Sequence, residues 1–268
     1  MQKNTKSENE LKALILNHLV DKRHIPNHTI LASEMPINRL KTRADLAILS
    51  NDFIGIEIKS EGDKLSRLEK QIESYKTVFD KIIVFAHEKH LQGIRKILSK
   101  NIGILVTDGY SVKHIRAPKQ IRPPLKSLYL KNMKNQNIKR LIRNNGLANK
   151  KSREFSLAEK LKLQDIIGSN RKYLREEYKE FSDCFWKSVN KAITPEDIQY
   201  LSPRYYRRQK TENHRESEAS FWVEWRKQFS LNIDDLFYNH CNQQLKTNKT
   251  NPFGPIPQSV QKLISVAD

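Results

Sequence analysis

Residues Arg43–Ser60, RADLAILSNDFIGIEIKS, decide how this chain is read. Two apolar runs flank Ser50, Asn51 and Asp52, and turn-forming residues between alternating hydrophobics predict a β-hairpin. Along the second run Ile54, Ile56 and Ile58 share one face and Gly55, Glu57 and Lys59 the other, so the isoleucines are expected to point inward. A three-residue turn sets Leu49 opposite Phe53 and therefore Asp45 opposite Glu57; a two-residue turn shifts the pairing by one. Either way two carboxylates and an ammonium converge at one end of the sheet. Neighbouring carboxylates repel, and each raises the other's pKa unless a cation lies between them. A hard divalent ion resolves the conflict. Mg²⁺ (or Mn²⁺), which takes one or two carboxylates and keeps open positions, suits Asp45 and Glu57, with the carbonyl of Ile58 as a further ligand. Lys59 on the same face can then orient a water and neutralise charge on a phosphate. Gly55 would leave room for a nucleic-acid backbone. The plainer reading of these residues is the solvated face of an edge hairpin, with Glu57 and Lys59 as a local ion pair.

Working outward, Ser7 with Glu10 forms a capping-box pattern ahead of an amphipathic helix carrying Leu11, Leu14, Ile15 and Leu19. TILASE reads as a strand before the hairpin. Leu65, Leu68, Ile72 and Phe79 recur at helical spacing behind Asp63, an expected N-cap. Strand, helix, strand, strand follow in KIIVFA, EKHLQGIRKILSK, IGILVT and YSVKHIR. The order is αβββαβαββ. Pro118, Pro123 and Pro124 then exclude continuous helix or central strand and mark a linker. The expected division is residues 1–117 as one domain and 118–268 as a mostly helical, basic region. In the latter, Ser156 with Glu159 forms a second capping box, Gly168 is the expected stop of that helix, and TPEDIQYL starts another with Pro195 at its first position. Phe221, Trp222, Trp225 and Phe229 have the spacing of a core stripe. NPFGPIPQSV near the end reads as irregular.

The chain of 268 residues carries a formal net charge of +19 and has a mean hydropathy of −0.71. A field of that sign attracts polyanions, so nucleic acid is the expected partner and a membrane surface is not. Residues 119–153 hold 11 basic residues and no acidic one. Lys139, Arg140, Arg143, Lys150 and Lys151 are the expected phosphate contacts of that block, against the alternative of a solvated helix face. No apolar run is long enough to span a bilayer and the amino terminus lacks a secretion-signal pattern, so a cytoplasmic location is expected. Cys184 and Cys241 form no disulfide framework. Histidine pairs at 24/28 and 87/90 lack the companions of a zinc site. Walker, GxGxxG and GxSxG motifs are absent from the sequence.

The pattern RAD, 11 intervening residues, then EIK resembles the PD-(D/E)XK nuclease superfamily, and the longer string through KIIVF resembles a family of small bacterial proteins that carry this motif. The resemblance covers Glu8 to Arg116. It implies a restriction-endonuclease-like αβββαβ core with a central mixed sheet flanked by helices. It also implies a Mg²⁺-dependent nuclease acting on DNA in preference to RNA, with Asp45 and Glu57 as metal ligands and Lys59 as the catalytic lysine. Glu10, comparable to a helix-one acid of the superfamily, is either a further ligand or only a capping residue. Glu34 is either a ligand or one half of a strand-end salt bridge. Ala44 stands where the superfamily has proline. Gln71 and Tyr75 resemble the QxxxY element of RecB-related nuclease domains and share a helical face with Arg67, where they would brace the site or touch phosphate. Arg43 and Arg67 are expected to contact nucleic acid. The alternative expectation is a catalytically inactive nucleic-acid-binding or adaptor protein on the same fold.

Overall fold

A computed structural model describes residues 6–37, 42–147, 154–202, 205, 208, 211–212, 215–217 and 219–224. Lys150, Lys151, Trp225, Phe229, Cys241 and the stretch 251–260 lie outside them. Helix α1 (Glu8–Asp21) precedes strands β1 (Leu31–Ile37), β2 (Thr42–Leu49) and β3 (Phe53–Lys59). Helix α2 (Leu68–Tyr75), β4 (Lys81–His87), α3 (Leu91–Ile97), β5 (Gly103–Thr107) and β6 (Val112–Arg116) follow. The αβββαβαββ order is the one read from the sequence. The six strands lie in the order β1-β2-β3-β4-β5-β6; β3 pairs in parallel with β4 and β4 with β5, and the other pairs are antiparallel. These connections establish an open mixed sheet flanked by helices; the restriction-endonuclease-like expectation is finer than that.

Each face of the sheet is buried. Leu11, Ile15 and Leu16 of α1 pack with Leu46, Ile56 and Ile58 on one face, while Leu68, Ile72 and Tyr75 of α2 pack with Ala47, Phe53 and Val84 on the other. The face of β3 that carries Gly55, Glu57 and Lys59 is therefore not solvated. A Cβ on Gly55 would stand 2.5 Å from Phe79 and 2.7 Å from Tyr75, so this glycine admits the α2 segment rather than a nucleic-acid backbone. Sequence reading treated β3 in isolation and missed that cover.

Residues 117–125 form neither helix nor strand, as their prolines require, and lead into α4 (Lys126–Asn132), α5 (Asn135–Asn144), α6 (Glu154–Ala158), α7 (Leu163–Ser188) and α8 (Pro195–Ile198). Helix α8 starts at Pro195 as expected, and the Thr194 and Asp197 side chains close a capping box there. The long helix corrects two expectations. It begins only at Leu163, after a break from α6, and runs through Gly168, which is exposed and touches nothing. Glycine in an exposed helical position costs about 1 kcal/mol, which packing along 26 residues outweighs. Similarly, α2 begins at Leu68 rather than behind Asp63, because the Asp63 carboxylate instead accepts from the backbone and hydroxyl of Ser60.

Helix α7 runs across one end of the β1–β2–β3 meander, where Leu31 pairs with Ile48 and Leu49 with Phe53. Arg171 bonds Asp80, whose other oxygen accepts the Phe53 N–H, and Arg175 donates to the carbonyls of Leu49 and Ser50. Further along, buried Ser182 accepts the Leu31 N–H and donates to the Thr29 carbonyl, which also accepts from Trp186 Nε1. The helix thereby satisfies backbone groups at the β1 edge. Leu174 and Tyr178 sit in the α2-side core and Phe185 in the α1-side core, so α7 joins both. Contacts divide the chain into compact units Met1–Gln209 and Lys210–Asp268. In the second, Phe221 and Trp222 are 57% and 52% exposed, unlike the core stripe expected of them.

Ser182→Ala is expected to lower stability by about 1–3 kcal/mol, because it leaves a buried N–H at Leu31 without its acceptor. Urea unfolding read by circular dichroism checks this, against Ser66→Ala, at an exposed position, as a control.

Candidate functional site

The hairpin turn has three residues: Leu49 pairs with Phe53, and the antiparallel register runs to Leu46 opposite Ile56. One step further Asp45 faces Glu57, but there the backbone ladder stops. The Ile58 N–H is taken at 2.6 Å by Asp45 Oδ2, and the Asp45 N–H donates at 3.1 Å to the Tyr75 hydroxyl. Strands β2 and β3 fork, and the Asp45 carboxylate fills the wedge in place of a carbonyl.

A second irregularity lies opposite. Glu34 has φ +55°, in the left-handed region that a non-glycine residue rarely adopts. Regular alternation would put Ala32 and Met35 on opposite faces, yet both lie in the α2-side core, and so do Ala44 and Ala47 of β2. The slip turns Ser33 and Glu34 together toward α1. There the Lys12 ammonium, almost fully buried, donates to Ser33 Oγ at 2.9 Å and Glu34 Oε1 at 2.7 Å, and pairs with Glu8 at 2.5 Å.

On the α2 side Glu57 is fully buried. Its Oε1 accepts from Lys59 Nζ at 2.7 Å and its Oε2 from the Tyr75 hydroxyl at 2.6 Å, while Lys59 also donates to Gln71 Oε1 at 3.1 Å. Gln71 and Tyr75, one helical turn apart, thus brace the Glu57–Lys59 pair from α2. Burial, then the charges of Asp45 and Glu57, pushes the Tyr75 hydroxyl well above its usual range, so it stays protonated and donates. Burial and the neighbouring Glu57 charge push Asp45 up to about 8. Burial also raises Glu34. For Glu8 and Lys12 burial is the largest single effect and acts against charge, but hydrogen bonds and charge attraction among Glu8, Lys12 and Glu34 together outweigh it, lowering Glu8 and raising Lys12.

The expected metal set is only partly assembled. Glu57 has given both oxygens to protein donors, and Glu10 closes the α1 capping box with Ser7. Glu8, Glu34 and Asp45 instead bring ligand atoms within 4.8 Å of one another. Sequence reading overlooked Glu8 and Lys12; their i, i+4 spacing was the available signal. Arg43 and Arg67 are exposed near the fork, at β2 and the start of α2. The basic block is less bare than its sequence: Lys134 pairs with Glu177, Lys139 with Glu154, and Arg140 with Glu176 while lying 4.3 Å over the Tyr173 ring. Lys131 and Arg143 are exposed and have no partner among the described residues.

Asp45 sets a pH dependence. Its folded pKa lies above its unfolded value, so the folded state binds the extra proton and stability falls as pH rises from about 4 to about 8. In EDTA, urea unfolding of the wild type between those pH values should show this decline. Asp45→Asn, which keeps an acceptor for the Ile58 N–H, should flatten it; an unchanged slope would remove Asp45 as its source.

Comparison with known proteins corrects the resemblance. A protein of Silicibacter pomeroyi with a solved structure is 15% identical and covers 56% of this chain and 99% of its own, at a TM-score of 0.35, too low to carry any argument. Protein cII of Enterobacteria phage P4 is 32% identical over 98 residues, 37% of this chain and 37% of the relative. The family described as Bacteriophage P4 protein cII matches residues 1–202. That match overturns the assignment to the PD-(D/E)XK superfamily, and with it the nuclease and hydrolase reading. Physically, the motif that suggested them is three charged side chains on a hairpin, and a buried ion pair braced by Tyr75 satisfies the same pattern. By a match over most of its length, this chain belongs to the bacteriophage P4 protein cII family.

Proposed function

We propose that this protein binds nucleic acid without cutting it, DNA in preference to RNA, in the manner of a protein that occupies DNA or brings a partner to it. The net charge of +19 carries the reading. Most binding free energy for DNA comes from counterions released as cations neutralise phosphates, and this chain has the cations to do so. The acids around Asp45 and Glu57 oppose it little, because Lys59 pairs with Glu57, Lys12 pairs with Glu8 and Glu34, and Asp45 is pushed up to about 8. Of the residues singled out in α5, Lys139 and Arg140 spend part of their charge on Glu154 and Glu176, so Arg143 leads the phosphate contacts, with Lys131 of α4 as a further one. Arg43 and Arg67 supply a second basic position.

Fluorescence anisotropy of the full chain with labelled duplex DNA over a KCl series tests this. Affinity should fall linearly with salt on log–log axes, by about 0.9 in slope per phosphate contact, and Lys131→Glu with Arg143→Glu should reduce both affinity and slope. A plasmid incubated with Mg²⁺ should stay supercoiled. Salt-independent binding, or nicked plasmid, would refute the reading.

A divalent cation is a second reading, favoured by the convergence of Glu8, Glu34 and Asp45. Mg²⁺ or Mn²⁺ held there by carboxylate oxygens would neutralise the fork and brace β1 against β2, in competition with the Lys12 ammonium. Calorimetric titration with Mn²⁺ should give a single site whose affinity rises with pH, as Asp45 loses its proton, and disappears in Asp45→Asn. Absence of heat in the wild type at pH 8 rejects it.

A further inference from the structure

A cavity lies between the carboxyl end of α1 and the carboxyl end of α7, at the end of α1 away from Glu8. It has a volume of about 290 Å³ and is lined in part by Asp21, Asn27, His28, Trp186, Asn190 and Lys191. That size is near the lower end of small-ligand cavities, which run from about 300 to 1,000 Å³.

Its walls are fixed. Trp186 is pinned by the bond from Nε1 to the Thr29 carbonyl at 2.8 Å and makes a T-shaped contact with Phe185 at 4.9 Å between ring centres. The segment after α7 is stapled to α1 by a reciprocal pair: Asn17 Nδ2 donates to the Ile193 carbonyl and Asn17 Oδ1 accepts the Ile193 N–H, both at 2.8 Å. His28 has φ +72°, and the turn that contains it is closed by the Thr29 hydroxyl on the Pro26 carbonyl at 2.7 Å. A non-glycine residue in that conformation is strained, and such strain concentrates at ligand clamps.

Apart from Asn17 and Trp186, the polar side chains of this cavity are uncommitted. Among the described residues Asp21, Asn27, His28, Asn190 and Lys191 make no hydrogen bond or ion pair with their side chains. An aromatic wall with several converging amide, carboxylate and imidazole groups suits a flat ligand bearing donors and acceptors on its edge. Exposed Lys22, Arg23 and Lys187 are sequence neighbours of the lining, and Lys191 belongs to it, so a phosphate is welcome at the rim.

We propose that this cavity takes one unstacked nucleotide, its base against Trp186, its edge read by Asp21 and the asparagines, and its phosphate on the rim lysines. The ligand class rests on the nucleic-acid reading above. Base–aromatic stacking of this kind tolerates every base, whereas the Asp21 carboxylate accepts only from a donor edge. Uracil and thymine offer only an N3–H set between two carbonyl oxygens that repel a carboxylate, so bases with an exocyclic amine are favoured over them.

The test is calorimetric titration of the full chain with cytidine, adenosine and uridine 5′-monophosphates, with ribose 5-phosphate as the probe that lacks a base. Cytidine and adenosine monophosphates should saturate the protein and ribose 5-phosphate should not. Asp21→Asn and Asn190→Ala, both at exposed positions, should each weaken cytidine monophosphate binding by about tenfold. Trp186→Phe should weaken all bases alike. Equal binding of ribose 5-phosphate, no saturation by any monophosphate, or wild-type affinity in both Asp21→Asn and Asn190→Ala overturns the proposal. Because free monophosphates do not engage the α4–α5 surface, their binding stands or falls separately from duplex binding.

Discussion

A fully buried carboxylate must be compensated or it will not stay ionised, and Glu57 imposes that requirement on everything near it. Both its oxygens are filled, one by Lys59 from its own strand and one by Tyr75 from α2. Tyr75 can reach it only because α2 lies close over β3, and that approach requires Gly55, where a Cβ would collide with Phe79 and Tyr75. The same hydroxyl accepts the Asp45 N–H, so one tyrosine joins the ion pair to the place where β2 leaves β3.

From there the constraint passes through the sheet. Since β2 and β3 part beyond Leu46 and Ile56, the Ile58 N–H needs an acceptor, and Asp45 supplies a side-chain oxygen. Asp45 in turn lies near Glu34 and Glu8, and without a cation three carboxylates would meet at the mouth of the fork. Lys12 is the cation the chain provides, held at Glu8 and Glu34. The left-handed backbone at Glu34 is what brings its carboxylate round to that ammonium, and a small conformational cost there is offset by a satisfied buried charge.

How much of this was legible follows from the kind of information each feature needs. The element order was readable, and the register was narrowed to two, of which the three-residue turn is the one observed, because alternation and turn signals are local. The inward isoleucines were readable for the same reason. The cover over Gly55 was not, since it depends on where Tyr75 and Phe79 of a later segment land. Lys12 was missed because a lysine within an apolar helix face reads as solvated, and two of the partners that make its burial tolerable, Ser33 and Glu34, are more than 20 residues away. The bare appearance of residues 119–153 misled in the opposite direction: Glu176 and Glu177, which partner Arg140 and Lys134, belong to α7. Gly168 looked like a stop because a stop signal is local, while continuation of α7 is decided by its packing on two cores.

The charged motif and the net charge therefore belong to different parts of the same argument. Had the acids of the fork been open to solvent, they would repel a polyanion from the sheet end and require a metal to make any contact with phosphate productive. Paired with Lys12 and Lys59, and with Asp45 pushed up to about 8, they contribute little field outside, because a compact pair of opposite charges falls off faster with distance than a single charge. The outward field is then set by cations whose partners are missing or shared, such as Arg43, Arg67, Lys131 and Arg143. An internally neutralised acid cluster inside a chain of net charge +19 is the physical arrangement of a protein that attracts a polyanion.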